Sequence, residues 1–483
     1  MAEKKSGIQI SAKAFIQAVV IIFILMMAAG IMTRLVPAGQ YARVVVSGRQ
    51  VIDAESYTTT ERPNYPIWRW FTAPFEVFAA PGNATIIGVI AFIVLVGIAF
   101  AVMDRSGILS YVVQSIVKKF GAKKYTLMLV LLFFFMALGG FFGILEEAVP
   151  LVPIIIALCF SLGWDSLTGL GISILATNVG FSTAIFNFFT IGTAQRLAGL
   201  PLFSGWGPRL VLFAVVYAIL ATFLVRYAKK VERKPEVSPV YKEDQPERLK
   251  YGTFSLDAAT ADNPRMKRAA IFMGVFFALV LISSMVFSVV ESLSDLAMPV
   301  SGLLFVIGGV GAALIAGIGR KAGKAVWDGF LGIAPAIPLL MMAASVKHII
   351  SSGGILDTLL HWASGIFSNA SPFVAAIIIY GLTLVLELFV SSGSAKALLI
   401  VPILMPLADL VHVNRQIAVS AYCFGDGFSN LVYPTNALLL ITLSLTVVPY
   451  HKWFKWVLRL WPWIILVTIA FLAIAVAINY GPF

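Results

Sequence analysis

"GILEEAVPLVPII" (143–155) and "VSSGSAKALLIVPIL" (390–404) decide how this chain is read. Each sets charged or hydroxyl-bearing residues between strongly apolar flanks, and their starts lie 247 positions apart (390 − 143). The same offset lays "DRSGILSYVVQSI" (104–116) on "SSGGILDTLLHWA" (351–363) and "NVGFSTAIFN" (178–187) on "GDGFSNLVYP" (425–434). Leu200-Pro201 meets Val448-Pro449 with a shift of one residue. Each match alone is weak. One offset held from residue 104 to residue 201 is the mark of an internal repeat.

The flanks fix the solvent. Of the 483 residues 60% are hydrophobic and 12% charged, with a mean hydropathy of +0.94; an ordinary soluble domain is roughly a quarter charged. Apolar runs cover 14–35, 84–103, 210–227, 269–290 and 461–479, and about 20 such residues span the ~30 Å hydrocarbon core as a helix. Backbone polar groups in lipid must pair internally, so the expected class is an all-α polytopic membrane protein. The net charge of +12 sits in short loops between apolar runs, which is a topology signal, not a nucleic-acid face. Cys159 and Cys423 lie within apolar segments and offer neither a disulfide framework nor zinc spacing. The first apolar segment is too long for a signal-peptide core and lacks a cleavage site. No Walker loop, nucleophile elbow or HExxH pattern occurs, so nothing supports an enzyme. Histidines 348, 361, 412 and 451 read as segment-end residues, and tryptophans 68, 70, 453, 456, 461 and 463 as interfacial anchors.

Lysine and arginine in short loops mark the cytoplasmic side. Lys4, Lys5 and Lys13 place the N-terminus inside. The segment 104–125, Arg320 with Lys321 and Lys324, and Lys452 with Lys455 and Arg459 are further inside markers. Residues 351–370 carry no lysine or arginine and face outward, as does the acidic turn with Glu291 and Asp295. The loop at Gly107 is therefore inside and its counterpart at Gly354 outside, which makes the repeat inverted. The expected first repeat, 1–228, holds helices 13–36 and 84–103, a hairpin 124–163, a broken helix 167–199 and a helix 209–228. A polar stretch, 229–268, without helical periodicity reads as a cytoplasmic linker, followed by a connecting helix 269–290. The second repeat, 297–483, holds helices 297–318 and 331–350, a hairpin 371–411, a broken helix 415–447 and a helix 457–479, with the C-terminus outside. Parity gives about nine crossings plus two hairpins, re-entrant or fully crossing.

Irregular backbone at membrane depth is tolerated where it lines a cavity, so the hairpin tips and helix breaks are expected around one site. Ionisable residues in such segments are functional candidates. Glu146 and Glu147 are adjacent carboxylates suited to a proton, sodium or a cationic substrate group, or to capping the hairpin's second arm. Lys396, with Ser392, Gly393 and Ser394 in the other tip, suits a substrate carboxylate. Asn187, Asp426 and Asn436 complete the expected substrate site. Asn178, Asp426, Asn430 and Thr435 join the two glutamates as expected ion-coupling ligands. Glu387 reads as an interior ion-pair partner, and Asp409 and Arg415 as boundary markers of the second hairpin. No metal constellation is expected beyond a possible sodium site.

"LVPAGQY" (35–41), "GILEEAVP" (143–150), "FNFFTIGTAQRLAGLPLFSGWGPR" (186–209), "SSGSAKALLIVPILMPLADL" (391–410) and "RQIAVSAYCFGDGFSNLVYPTNALL" (415–439) resemble the YfcC-like branch of the C4-dicarboxylate carrier (DcuC-type) and arginine-ornithine antiporter family. That family lies in the ion transporter superfamily. The resemblance covers nearly the whole chain and implies two opposed re-entrant hairpins, elevator-type alternating access, a homodimer and a bacterial inner-membrane location. One departure is "NFF" at 187–189 where the pattern has "NPF". The expected function is secondary active transport of a small carboxylate-bearing metabolite, an amino acid by exchange or ion-coupled uptake. The alternative is a sodium- or proton-coupled C4-dicarboxylate transporter, and an ion channel ranks below both. Expected partners are the substrate and the bilayer, with no nucleic acid; no cofactor is expected apart from Na+ or H+ as coupling ion.

Overall fold

Gly107 and Gly354, themselves 247 positions apart, both adopt left-handed backbone, with φ of +81° and +69°. Glycine takes this conformation without steric cost. Each turns a long helix (Asn83–Ser106, Ala336–Ser352) into a short amphipathic one (Ile108–Phe120, Leu356–Ser364). The computed structural model describes residues 12–46, 49–53, 56–80, 83–251, 263–289, 297–319, 321–364, 370–390 and 393–481. Lys4, Lys5, Glu291, Asp295, Arg320, Ser391 and Ser392 lie outside the described residues. Glu146, Glu147 and Ser394 are described in backbone only.

The order of elements after each glycine is the same. Helix Lys124–Phe142 ends at Gly143, whose left-handed backbone returns its N–H to the Gly139 carbonyl at 3.0 Å. A tight turn, Glu146–Leu151, then leads into Val152–Ser161. The second half has Pro372–Glu387, followed by Gly393–Leu410. Interrupted helices follow. The first runs Ser166–Leu170, a π-helical turn Gly171–Leu175, Ala176–Thr183, a break, a π-helical turn Phe188–Gly192 and Thr193–Leu197. The second runs Arg415–Ser429, a break and Ala437–Ser444. Trp206–Arg233 closes the first half, and Tyr450–Val457 with Trp461–Ala477, bent by 46°, closes the second. Pro264–Val289 and Ala297–Ala316 pack together between the halves.

Among the described residues, four helical stretches are long and apolar enough to cross a membrane: Ile108–Phe142, Trp206–Arg233, Pro299–Ala316 and Lys321–Ser352. The bent pair at the C-terminal end makes a fifth. Large apolar side chains such as Phe133, Val211, Leu303 and Ile474 point out of the bundle, each at least half exposed. An apolar outer face on every side belongs in lipid, and the chain is a membrane protein.

Three sequence readings need correction. The polar stretch 229–268 is not irregular throughout: Trp206–Arg233 runs into it, and Tyr241–Tyr251 forms a further helix. That helix docks through Asp244, which accepts from the Ser166 N–H at 3.1 Å and hydroxyl at 2.6 Å. Its lack of periodicity reflects polar burial rather than an apolar stripe. The class is helical but not wholly so, because the outer segment carries two antiparallel ribbons, Gly39–Gln40 with Thr58–Thr59 and Arg43–Val46 with Arg49–Ile52. Among the tryptophans, Trp68 and Trp463 are exposed, but Trp70, Trp453 and Trp456 are buried. The Trp453 indole donates to the Leu431 carbonyl at 2.8 Å, and Trp70 packs on Gly30.

The outer segment is anchored on the second half. Arg43 grips Asp357 with both carboxylate oxygens within 3.0 Å, Tyr57 stacks on His361 at 3.8 Å, and His348 meets Glu76 at 3.1 Å. Burial works against the Glu76 charge, but hydrogen bonds from Arg69, Thr72 and His348 hold its pKa down to about 2.

Candidate functional site

Glycines let the interrupted helices approach the hairpins at backbone distance. A Cβ on Gly180 would overlap the Met136 carbonyl oxygen, and one on Gly139 the Thr177 carbonyl oxygen. In the other half a Cβ on Gly425 would meet the Tyr380 carbonyl at 2.6 Å. The interrupted helices also cross each other, Gly427 lying against Ser182. Each hairpin reaches the opposite half: Gly393–Leu410 packs on Phe188–Gly192 and Thr193–Leu197, and the Glu146–Leu151 turn packs on Ala437–Ser444. The interruptions are thereby neighbours.

The first break, 184–187, forms without a proline, whereas the second holds Pro434. Helix Ala176–Thr183 ends at Ala184 in left-handed backbone, φ +50°, a conformation that costs a non-glycine residue about 1–2 kcal/mol. "NFF" therefore breaks where "NPF" is the pattern. Beyond each break an asparagine starts the next segment. Asn187 Oδ1 accepts from the Thr190 N–H at 3.3 Å, and Asn436 Oδ1 from the Leu438 N–H at 2.9 Å.

At the crossing lies a buried charged cluster. Lys396 Nζ donates to Glu387 Oε2 and, at 2.8 Å, to Asp426 Oδ1. All three side chains are at most 1% exposed. Asn436 Nδ2 donates to Glu387 Oε1 at 3.2 Å and to Asn430 Oδ1 at 3.1 Å. The chain Asp426–Lys396–Glu387–Asn436–Asn430 thus spans both arms of the second hairpin and both sides of the second break. Gly393 completes it, since a Cβ there would stand 3.0 Å from Asp426 Oδ2 and 2.9 Å from Thr190 Cγ2. Its carbonyl accepts from the Tyr422 hydroxyl at 2.6 Å.

Buried oxygens with no hydrogen-bond partner among the described residues include Asp426 Oδ2, Asn178 Oδ1 and Thr435 Oγ1. A buried acceptor left unpaired costs about 1–3 kcal/mol, more when charged. Two carboxylates against one ammonium also leave one net negative charge in a low dielectric when all three are ionised. Carboxylate, hydroxyl and amide oxygens are hard donors of the kind sodium takes, and Asp426 Oδ2 equally suits a proton or a cationic substrate group.

Of the expected site residues, the structure gathers Gly393, Lys396, Asp426, Asn430 and Asn436. Asn187 lies in the first break, bonded to its own segment; Asn178 stands in the helix before it, and Thr435 lies within the second break. Glu387 is integral to the cluster. Arg209 escaped sequence reading. It is fully buried and binds the carbonyls of Ile185, Phe203 and Ser204 at 2.8–3.3 Å and the Tyr480 hydroxyl at 3.2 Å. It thereby fixes the backbone two residues from Asn187. Its signal was an arginine opening an apolar run at the end expected outside, against the usual charge bias.

Interrupted helices meeting around a buried, incompletely paired charge cluster within a lipid-facing bundle are the build of a membrane transporter. The family model of the C4-dicarboxylate anaerobic carrier, DcuC, matches residues 15–477, and the chain belongs to that family of carriers, which is not a family of enzymes. An Escherichia coli K12 protein named "Putative basic amino acid antiporter YfcC" is 29% identical over 468 residues, covering 90% of this chain and 91% of the relative. An uncharacterized protein of Haemophilus influenzae is 26% identical over 381 residues, 78% of this chain and 73% of the relative. Solved structures that resemble it include the Alcanivorax borkumensis YdaH transporter, with 15% identity, coverage of 97% and 100%, and a TM-score of 0.40. Neisseria gonorrhoeae MtrF, described with a class of antimetabolite efflux pumps, gives 17% identity, 97% coverage of both chains and a TM-score of 0.42.

Proposed function

We propose that the protein is a secondary active transporter of a small carboxylate-bearing metabolite, and that its substrate is an amino acid with a cationic side chain, moved by exchange or ion-coupled uptake. One observation carries the reading. Asp426 Oδ2 is buried beside the hairpin tip without a hydrogen-bond partner among the described residues, in a cluster that sets two carboxylates against one ammonium. A cationic group satisfies that oxygen and matches the second carboxylate, whereas a bare dicarboxylate brings two further negative charges to it. The name of the Escherichia coli relative agrees with this choice. The family's own description favours a second reading, a sodium- or proton-coupled C4-dicarboxylate carrier. In that reading the coupling cation takes Asp426 Oδ2, and Lys396 or the Gly393 tip meets the substrate carboxylate.

The wider proposal has two inverted repeats, each with a re-entrant hairpin and a broken helix, working by an elevator motion in a homodimer. It lies in the bacterial inner membrane, N-terminus inside and C-terminus outside. The common order of elements and the glycine turns at 107 and 354 support the repeat. Glu146 and Glu147 serve the coupling cation or the basic side chain from the opposite tip. Counterflow into proteoliposomes with labelled arginine, ornithine and succinate, each with and without sodium, tests the choice. Exchange of a basic amino acid without sodium supports the first reading; sodium-dependent succinate uptake with no amino-acid exchange replaces it with the second.

A further inference from the structure

On the lipid-facing side of helix Trp206–Arg233, away from the charged cluster, a groove of about 640 Å³ runs along the seam with Trp461–Ala477. Its wall on the first helix is a helical stripe, Val215, Ile219 and Phe223, capped one turn on by Arg226 and then Lys230. Trp463 closes it from the other helix and is 58% exposed. Twenty residues separate Trp206 from Arg226 (226 − 206), a rise of about 30 Å, which is one hydrocarbon thickness. The two basic side chains therefore stand at headgroup depth, at the end the charge distribution assigns to the cytoplasm, with the apolar stripe below them at acyl depth. Both are exposed, and neither makes a hydrogen bond or ion pair among the described residues. The acid closest in sequence, Glu232, is already engaged by Lys124 at 2.6 Å and by the Tyr125 hydroxyl at 2.5 Å.

We infer that this groove is a binding site for one anionic phospholipid, its phosphate held between Arg226 and Lys230 and an acyl chain laid along Val215, Ile219 and Phe223. Charge complementarity selects the occupant. An apolar trough alone takes any lipid, but two unpaired cations at its headgroup end favour an anionic one. The site also touches the inner machinery. Tyr227, which lines the same groove, donates its hydroxyl at 2.5 Å to Asp165. Asp165 caps the first interrupted helix through the Thr168 N–H and takes the Ser238 hydroxyl of the polar stretch at 2.7 Å. A headgroup at Arg226 thus sits one residue from the Tyr227–Asp165 bond that ties helix Trp206–Arg233 to the interrupted helix.

The test is native mass spectrometry of the full chain released from nanodiscs, counting retained phosphatidylglycerol and phosphatidylcholine. Wild type is expected to retain one phosphatidylglycerol in preference to phosphatidylcholine. The Arg226→Gln/Lys230→Gln variant is expected to bind phosphatidylglycerol about 30-fold more weakly, from two basic contacts of typical strength at an anionic surface. Ile219→Trp, which fills the trough and leaves the charges, is expected to lose the lipid as well. Lys118→Gln/Lys119→Gln removes two exposed lysines elsewhere and is expected to change nothing. Equal losses in both charge variants, equal retention of the two lipids, or displacement by inorganic phosphate at the affinity of the lipid would overturn the inference. So would a shift from dimer to monomer in the Arg226→Gln/Lys230→Gln variant with lipid retention unchanged, because the groove would then be an interface between copies.

Discussion

Replacing Lys396 with methionine and replacing Glu387 with glutamine should have very different consequences, although the two residues bond each other. Without Lys396, Glu387 keeps only Asn436 Nδ2 at 3.2 Å, and Asp426 keeps no side-chain partner among the described residues. With both carboxylates ionised, the cluster passes from one net negative charge to two, with every carboxylate fully buried. Removing one partner of a buried ion pair costs about 3–5 kcal/mol, a shift of about 10²–10⁴ in the unfolding equilibrium. Glu387→Gln instead leaves a balanced Lys396–Asp426 pair and an amide oxygen that still accepts from lysine, at the loss of the hydrogen bond from Asn436 Nδ2, so the cost should be about 1–2 kcal/mol. Denaturant titration in mixed micelles, followed by tryptophan fluorescence, reads both. The triple variant Glu387→Gln/Lys396→Met/Asp426→Asn, which buries no charge, should recover most of the loss. If Lys396→Met falls within 1 kcal/mol of Glu387→Gln, or the triple variant is as unstable as Lys396→Met, the cluster is held by packing and the electrostatic reasoning is wrong.

Further outcomes follow from particular contacts. Gly180→Ala should destabilise by at least about 1–3 kcal/mol in the same titration, because its Cβ meets a backbone carbonyl on the neighbouring hairpin arm; a neutral result contradicts the close approach. Gly393→Ala should leave folding intact and lower transport in a liposome uptake assay, since its methyl group enters the space between Asp426 and Thr190. The docking of helix Tyr241–Tyr251 should depend on pH. Burial, then the nearby Asp165 charge, raises the Asp244 pKa from 3.8 to about 8. A raised carboxyl stabilises docking fully below 3.8 and loses that contribution as pH rises through about 8. Hydrogen exchange in 241–251, corrected for the intrinsic exchange rate, should therefore accelerate between about pH 4 and 8 and level off above, by up to about tenfold per pH unit. Asp244→Asn should flatten that dependence, and an unchanged slope would exclude Asp244 as its source.

Much of this was legible because membrane insertion writes strong signals. Apolar runs of helix-spanning length, polar tips such as "GSAK" at 393–396 and the glycine-flanked Asp426 stand out against lipid-facing sequence. The repeat offset carried the order of elements, since each half re-uses the same turn glycine. What stayed hidden depends on three-dimensional pairing. Lys396 meets Glu387 across a hairpin turn and Asp426 from another helix, and no local pattern encodes that triangle. "YHKWFKWV" (450–457) reads as an interfacial stretch, yet packing buries Trp453 and Trp456 and turns one indole onto the second break. Arg209 shows the same limit, as its partners are carbonyls of an irregular segment whose path the sequence does not specify.

Direct binding of labelled arginine to purified wild-type and Asp426→Asn protein, measured by scintillation proximity with labelled succinate as competitor, tests the central claim most directly. The account predicts saturable arginine binding by wild type. Loss of one buried charge-assisted contact should weaken it by about 10–100-fold in Asp426→Asn. Wild-type affinity in Asp426→Asn, or succinate displacing arginine as well as unlabelled arginine does, would contradict a cation-accepting site at Asp426.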